Sequence, residues 1–281
     1  MMYKNICDTL GCSPEEITDV EPIKVGLTNE SYSFRCRGLR YVYRQPGKGT
    51  NRFINRESEA FSENVAKKLG LDGSMIAIDP KEGWKLSHYV ENYSYVDPLN
   101  EGDRQLAMNA LKKIHSCGIE SPWDFDYSEQ TRIMSGLVDC SGYSELTSRI
   151  LKLGDELKLR GYKTVLCHND AWSWNMLKAP DSSITLIDWE YSGNSYPAAD
   201  VAYFTGSYES DDNDYIRLAE LYEGHKLSSE EEWYYFAVMS AVFWYWFIWA
   251  LYKESNGKQI EDKTLWYNKA IHALEKAEGL K

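Results

Sequence analysis

A chain of 281 residues has the length for one two-lobed domain or two separate ones, with a sizeable core. Its composition, 43% hydrophobic and 26% charged, is that of a globular protein and excludes disordered, collagen-like and disulfide-scaffold classes. With 43 acidic against 31 basic residues the net charge is −12, which argues against nucleic acid as a partner and is compatible with a cationic substrate.

The start, MMYKNICDTLGCS, lacks the basic stretch and apolar run of a signal peptide. The first helix is predicted to end at Gly11. Ser13-Pro14-Glu15-Glu16 predicts a second helix start, with Ser as N-cap, Pro at N1 and Glu at N3. Strands are predicted at Glu21–Val25, Ser31–Cys36 and Leu39–Gln45, the last two joined by a hairpin turn at Arg37-Gly38. A helix over Ile54–Leu69 has Gly70 as its stop signal, and strands at Ser74–Ile78 and Trp84–Tyr89 follow. Residues 1–90 thus read as a small sheet crossed by a helix.

After Val90 the period changes. Leu106, Ala110, Leu111 and Ile114 recur at helical spacing, and further helices are predicted at Glu145–Leu159, Ala198–Ser207, Tyr215–Tyr222, Glu230–Lys253 and Asp262–Ala277. Short strands at Val165–Cys167 and Ile184–Ile187 interrupt this half, and Glu120–Gly142 reads as mostly irregular. Ala237–Tyr252 is nearly all apolar but falls short of the roughly 20 residues of a spanning helix. Acidic and charged residues flank it, so it reads as a buried helix and no membrane span is expected. The six cysteines, Cys7, Cys12, Cys36, Cys117, Cys140 and Cys167, are scattered and read as free thiols of a reducing, cytoplasmic compartment. A sheet-rich half joined to a helical half near Ser87–Asn92 offers a cleft for a ligand.

The chemistry concentrates in Val165–Tyr191, VLCHNDAWSWNMLKAPDSSITLIDWEY. Apolar strands lead into His168-x-Asp170 and into Asp188, so two loops can bring two carboxylates and the Asn175 amide to one point. That set suits phosphoryl transfer, in which catalysis is mostly positioning and charge neutralisation. Asp170 serves an acceptor hydroxyl as base, and Asn175 and Asp188 offer the oxygen ligands that a magnesium ion takes. The plainer alternative is a pair of loop carboxylates that cap helices. His168 joins the catalytic set, with bracing of the loop by hydrogen bonds as its expected role.

His168-x-Asp170-x-x-x-x-Asn175 followed by Ile187-Asp188-Trp189-Glu190-Tyr191 resembles the choline kinase and aminoglycoside phosphotransferase superfamily. The stretches GLTNESY and VYRQPGKGTNRFINRESE are most similar to bacterial choline kinases of lipopolysaccharide or teichoic-acid decoration. The resemblance implies an α+β, protein-kinase-like two-lobed fold. Residues 1–90 would form a small antiparallel-sheet, nucleotide-binding lobe, and residues 91–281 a larger helical lobe with the catalytic loop and acceptor site. It implies ATP and Mg2+ as cofactors. Val25–Tyr32, with Asn29, would cover the phosphates. Arg44 would contact them, paired with Glu59 of the Arg56-x-x-Glu59 pattern or, as second choice, Glu57. Tyr89 and Val90 would meet adenine through backbone groups.

At the acceptor end, Trp246 and Trp249 lie three apart and share a helix face, which suits cation–π attraction to a quaternary ammonium. The resemblance makes them the walls of a choline cage, with Tyr191 or Tyr196 as a further wall and Glu190 as nearby negative charge. Core packing is the alternative for this aromatic helix. The implied activity is phosphorylation of choline, a small-molecule substrate. Ethanolamine, an aminoglycoside or another small alcohol would keep the chemistry and change the acceptor, and a catalytically silent binder is the reading from another class. The sequence carries no sign of an oligomeric state.

Overall fold

The computed structural model describes residues 1–23 and 28–280. Helix α1 (Met2–Leu10) ends where Gly11 enters the left-handed region. The capping box at Ser13 and Glu16 forms as the sequence predicts, but it opens only a single turn of 3-10 helix, Pro14–Glu16. The chain then extends, because Ile17, Thr18 and Val20 favour a pleated surface. Strand β1 (Ile17–Ile23) therefore starts four residues earlier than expected. The rest of the predicted strand, Lys24 and Val25, and the neighbouring Gly26 and Leu27 lie outside the described residues.

Strands β2 (Glu30–Cys36) and β3 (Leu39–Gln45) pair antiparallel with Cys36 opposite Leu39. The two residues between them, Arg37 and Gly38, both take positive φ, the turn whose twist matches a hairpin. Helix α2 (Arg56–Lys68) is capped by Asn55, whose side chain accepts from the amides of Glu57 and Ser58. Strands β4 (Met75–Ile78) and β5 (Lys85–His88) complete an antiparallel sheet of order β1-β2-β3-β5-β4. α2 packs against it at β4.

Beyond β6 (Ser94–Tyr95) the chain is mainly helical. Helix α3 (Glu101–His115) precedes α4 (Tyr127–Ser135), which interrupts the stretch expected to be irregular. Its polar sequence hides its period. The Asp126 carboxylate caps it by accepting from the Ser128 and Glu129 amides, and packing supplies the rest. Helix α5 (Ser144–Leu159) leads to β7 (Val165–Cys167), β8 (Met176–Lys178), β9 (Ile184–Leu186) and β10 (Gly193–Ser195). β7 pairs with β10, and β6, β8 and β9 form a small antiparallel sheet.

Helices α6 (Pro197–Phe204), α7 (Asp212–Glu223), α8 (Ser229–Ser255) and α9 (Lys263–Gly279) complete the chain. α8 is long and apolar enough to cross a membrane, yet nearly all of its apolar window is buried. It packs along α9 and against α4, α5 and α6. Each large apolar side chain so buried contributes about 1.5–3 kcal/mol, which makes α8 the central beam of the helical half. All six cysteines are free.

Candidate active site

A cleft of about 720 Å³ opens between the sheet and the helical half, within the range of small-ligand sites. Its walls include Arg44, Val90, Asp170, Asn175, Asp188 and Trp246.

Strand β7 delivers His168-Asn169-Asp170 to this cleft. The buried Asp200 of α6 fixes the loop, its Oδ2 accepting from the His168 amide at 2.8 Å and its Oδ1 from the Asn169 amide at 2.6 Å. Asn169 takes a left-handed φ of 61° and is held there by its Nδ2, which donates to the carbonyls of Tyr191 and Gly193. Strained backbone of this kind persists only where its surroundings over-determine it. His168 is fully buried; its Nδ1 accepts from the Asp170 amide at 3.2 Å and its Nε2 donates to the Ile187 carbonyl at 2.9 Å. Burial holds the imidazole below its ordinary pKa, so it is neutral with both nitrogens engaged. It ties the two loops together, as the bracing role requires.

Asn175 donates from Nδ2 to the Asp170 carbonyl at 2.9 Å and to its Oδ2 at 3.0 Å. That commits the amide nitrogen and leaves Oδ1 as the atom for a cation. Asp188 follows β9 with a left-handed φ of 67°. The oxygen donors of Asn175 and Asp188 suit a hard ion such as Mg2+. The electrostatics point the same way. Burial, with the charges of Asp188 and Glu190, pushes Asp170 well above the usual carboxylate range. Three acids, Asp170, Asp188 and Glu190, thus line one cleft together with Arg44.

Arg44, on β3, donates from Nη1 to Asp188 Oδ1 at 2.8 Å and from Nη2 to the fully buried Glu59. Glu59 also accepts from Arg56 Nη1 at 2.7 Å, whereas Glu57 is exposed. The network extends across the cleft: Arg56 Nη1 reaches Glu190 Oε2 at 3.1 Å, and Asn29 Nδ2 donates to the same oxygen at 2.7 Å. Glu190 therefore sits in a polar junction between the sheet and the Asp188 loop, in the cleft wall and paired with Arg56 and Asn29. Burial and the Asp188 charge raise it to about 7 against the pull of Arg44 and Arg56. Gly47 is needed beside this junction, since a Cβ there would lie 2.0 Å from the Thr28 carbonyl oxygen.

Tyr89 and Val90 line the cleft. The amide of Tyr89 is already bonded to the Arg40 carbonyl, and the Arg40 guanidinium lies 4.0 Å from the Tyr89 ring centroid. Backbone contact through the Tyr89 amide is thus unavailable, because the sheet edge uses it.

At the other end, Trp246 and Trp249 meet edge to face at 5.3 Å, and Tyr191 packs on Trp246 at 4.9 Å. Trp266 of α9, Trp172 of the loop after β7 and Tyr203 of α6 also line this end. Sequence reasoning missed these three. Trp172 stood inside the catalytic stretch, and Tyr203 falls one turn after Asp200, so position was the available signal. Tyr196 does not join them: it packs on Tyr234 at 6.1 Å, outside the cleft lining, because it precedes Pro197 at the start of α6 and faces α8.

A five-stranded antiparallel sheet over a helical half, with two acid-bearing loops in the cleft between them, is the kinase-like fold. A model of choline/ethanolamine kinases matches residues 105–238. Two sequences of the protein LicA from Haemophilus influenzae are each 30% identical to this chain. The matches run over 190 and 185 residues, 63% of this chain in both cases, and cover 55% and 69% of the relatives. The chain therefore spans little more than half of one of them. The crystal structure of choline kinase LicA from Streptococcus pneumoniae superposes with a TM-score of 0.80 at 24% identity, covering 99% of both chains. A structure of LicA in complex with AMP gives 0.81 at 24% identity, covering 100% of this chain and 98% of that one. The chain belongs to the choline/ethanolamine kinase family.

Proposed function

We propose that the protein transfers the γ-phosphoryl group of ATP to the hydroxyl of choline. The observation that carries this reading is one cleft with Asp170 in its wall, Arg44, Asn175 and Asp188 on one side and an aromatic enclosure on the other. Residues 1–90 are read as the nucleotide-binding lobe and residues 91–281 as the lobe with the catalytic loop and acceptor site. Asp170 accepts the proton that leaves the choline oxygen as that oxygen bonds to phosphorus and the bond to the ADP oxygen breaks. Arg44 offers a planar pair of donors to the phosphates. Asn175 and Asp188 would hold Mg2+, which supplies charge neutralisation on the phosphoryl oxygens. Trp246 and Trp249 present ring surfaces to the trimethylammonium group. The acidic net charge and the free cysteines support a small cationic substrate and a reducing, cytoplasmic setting.

A second acceptor, ethanolamine, is favoured by Glu261 and Asp262, which line the cleft beside the aromatic end. A primary ammonium needs such carboxylates, whereas a quaternary one does not. The test is ADP release from MgATP with choline, ethanolamine and kanamycin as separate acceptors. Release that favours choline supports the first reading. Release with ethanolamine or kanamycin alone rejects the cage as the determinant, and no release with any of them rejects the activity.

A further inference from the structure

Strand β5 puts a second cation beside Arg44. In the β3–β5 register Lys85 stands directly opposite Arg44, and opposed side chains share a face with Cβ atoms about 4.5–5.5 Å apart. Alternation along β5 fixes which face that is. Leu86 is buried with Ile6 and Tyr43 in the cluster on the far side of the sheet, whereas Lys85 and Ser87 line the cleft. Ser31 of β2 completes the row: it is the partner of Arg44 on the other side and lines the cleft as well. Helix α2 answers both cations. Glu59 and Glu63 lie one turn apart on it, and Glu59 accepts from Arg44 as Glu63 accepts from Lys85. Glu63 is fully buried, while the Lys85 side chain is 11% exposed, in the cleft wall.

We propose that Lys85 is a second nucleotide-binding cation: its ammonium, held by Glu63, contacts phosphate oxygens of the same nucleotide that Arg44 contacts from the neighbouring strand. The proposal deepens the reading of this cleft as a nucleotide site and rests on it. Arg44 commits one Nη to Asp188 and the other to Glu59, so two carboxylates already match its charge. The Lys85 ammonium has three donor hydrogens, of which Glu63 takes one. Burial disfavours the ammonium, but the Glu63 carboxylate outweighs it and holds Lys85 above the ordinary lysine range, so the side chain is charged. The two cations are not duplicates. Arg44 supplies a planar fork that sets direction, and Lys85 a point charge. The ion pair with Glu63 also restrains a long side chain before the ligand arrives, which lowers the entropy lost on binding.

The experiment titrates MgADP and, separately, adenosine into the wild-type protein, Lys85→Met and the double variant Lys85→Met/Glu63→Gln by calorimetry, with thermal midpoints measured alongside. Lys85→Met leaves the Glu63 carboxylate buried without its ion pair, so its midpoint should fall. The double variant removes both charges and keeps the shape, so its midpoint should return most of the way. MgADP should bind both variants about tenfold or more weakly, the size of one hydrogen bond to a charged group. Adenosine carries no phosphate and should bind each variant within about twofold of wild type. Recovery of MgADP affinity together with the midpoint in the double variant would overturn the proposal and reduce Lys85 to a support for α2. Equal weakening of MgADP and adenosine would overturn it as well, because a phosphate contact does not act on adenosine. Absence of MgADP binding to the wild type would overturn the nucleotide reading itself, and the proposal with it.

Discussion

Arg44 and Asp188 meet across the cleft, guanidinium Nη1 to carboxylate Oδ1 at 2.8 Å. The residue read as the phosphate contact and the residue read as a metal ligand are thus each other's partner. In the proposed reading Arg44 would offer donors to the phosphates of a bound nucleotide, and Asp188 would offer an oxygen to the accompanying ion. The pair ties the sheet to the loop that carries Asp188.

Replacement of Arg44 by Met leaves Glu59, which is fully buried, with Arg56 as its direct ion-pair partner and the charge of Lys85 nearby. Breaking a buried pair costs about 3–5 kcal/mol, and the surviving Arg56 contact puts the expected loss near the lower end. Urea unfolding checks this, and MgATP should no longer raise the midpoint. Arg44→Lys keeps the charge but loses the planar fork, so it should fall between the two. A Met variant as stable as wild type would mean that the network is not a stabilising one.

Asp170→Asn is nearly isosteric and preserves an acceptor for the Asn175 amide. It should lower kcat by about 10²–10⁴, the usual worth of a positioned base, and leave KM for ATP little changed. Steady-state kinetics on both substrates separates the two effects. Undiminished kcat would remove Asp170 from the chemistry.

Trp246 and Trp249 are buried in the helix packing as well as in the cleft wall, each only 2% exposed, so truncation to Ala would confuse cavity formation with lost recognition. Leu is the better probe. Loss of a desolvated cation–π contact of about 2 kcal/mol corresponds to about a thirtyfold rise in KM for choline. KM for ethanolamine should rise less, so the ratio of the two is the measurement. An unchanged ratio in both Leu variants would assign the rings to the core.

The legible parts of this protein are local ones. The two-residue turn at Arg37-Gly38, the helix from Arg56 and the acid-bearing loops around Asp170 and Asp188 could be placed because each depends on neighbours in sequence. Glu59 was separable from Glu57 only by resemblance, since both sit in the first turn of the same helix; burial distinguishes them. What escaped is set by contacts distant in the chain. α4 is held by α8, and Tyr203 acquires its place from Trp246, 43 residues later. Glu190 is claimed by Arg56 and Asn29 from the other side of the cleft, a pairing that no spacing in the sequence announces.

Asp200 is where fold and site depend on one charge. It is fully buried, and burial alone would raise its pKa. Its contact with His115 Nε2 at 2.8 Å and the amides of His168 and Asn169 outweigh that and hold it below the usual range. The sign of the pH dependence follows. A carboxylate with a depressed folded-state pKa contributes its full stabilisation above the unfolded-state value, about 3.9, and loses it as pH falls through the lower folded-state value. Asp200→Asn cannot charge, so it should be less stable than wild type at neutral pH by about 3 kcal/mol. The gap should stay constant down to about pH 5 and narrow below about pH 4. Thermal midpoints of the two proteins measured from pH 7 to pH 3 test this. A gap that does not narrow would mean that hydrogen bonding by shape, rather than the negative charge, holds the His168–Asp170 loop.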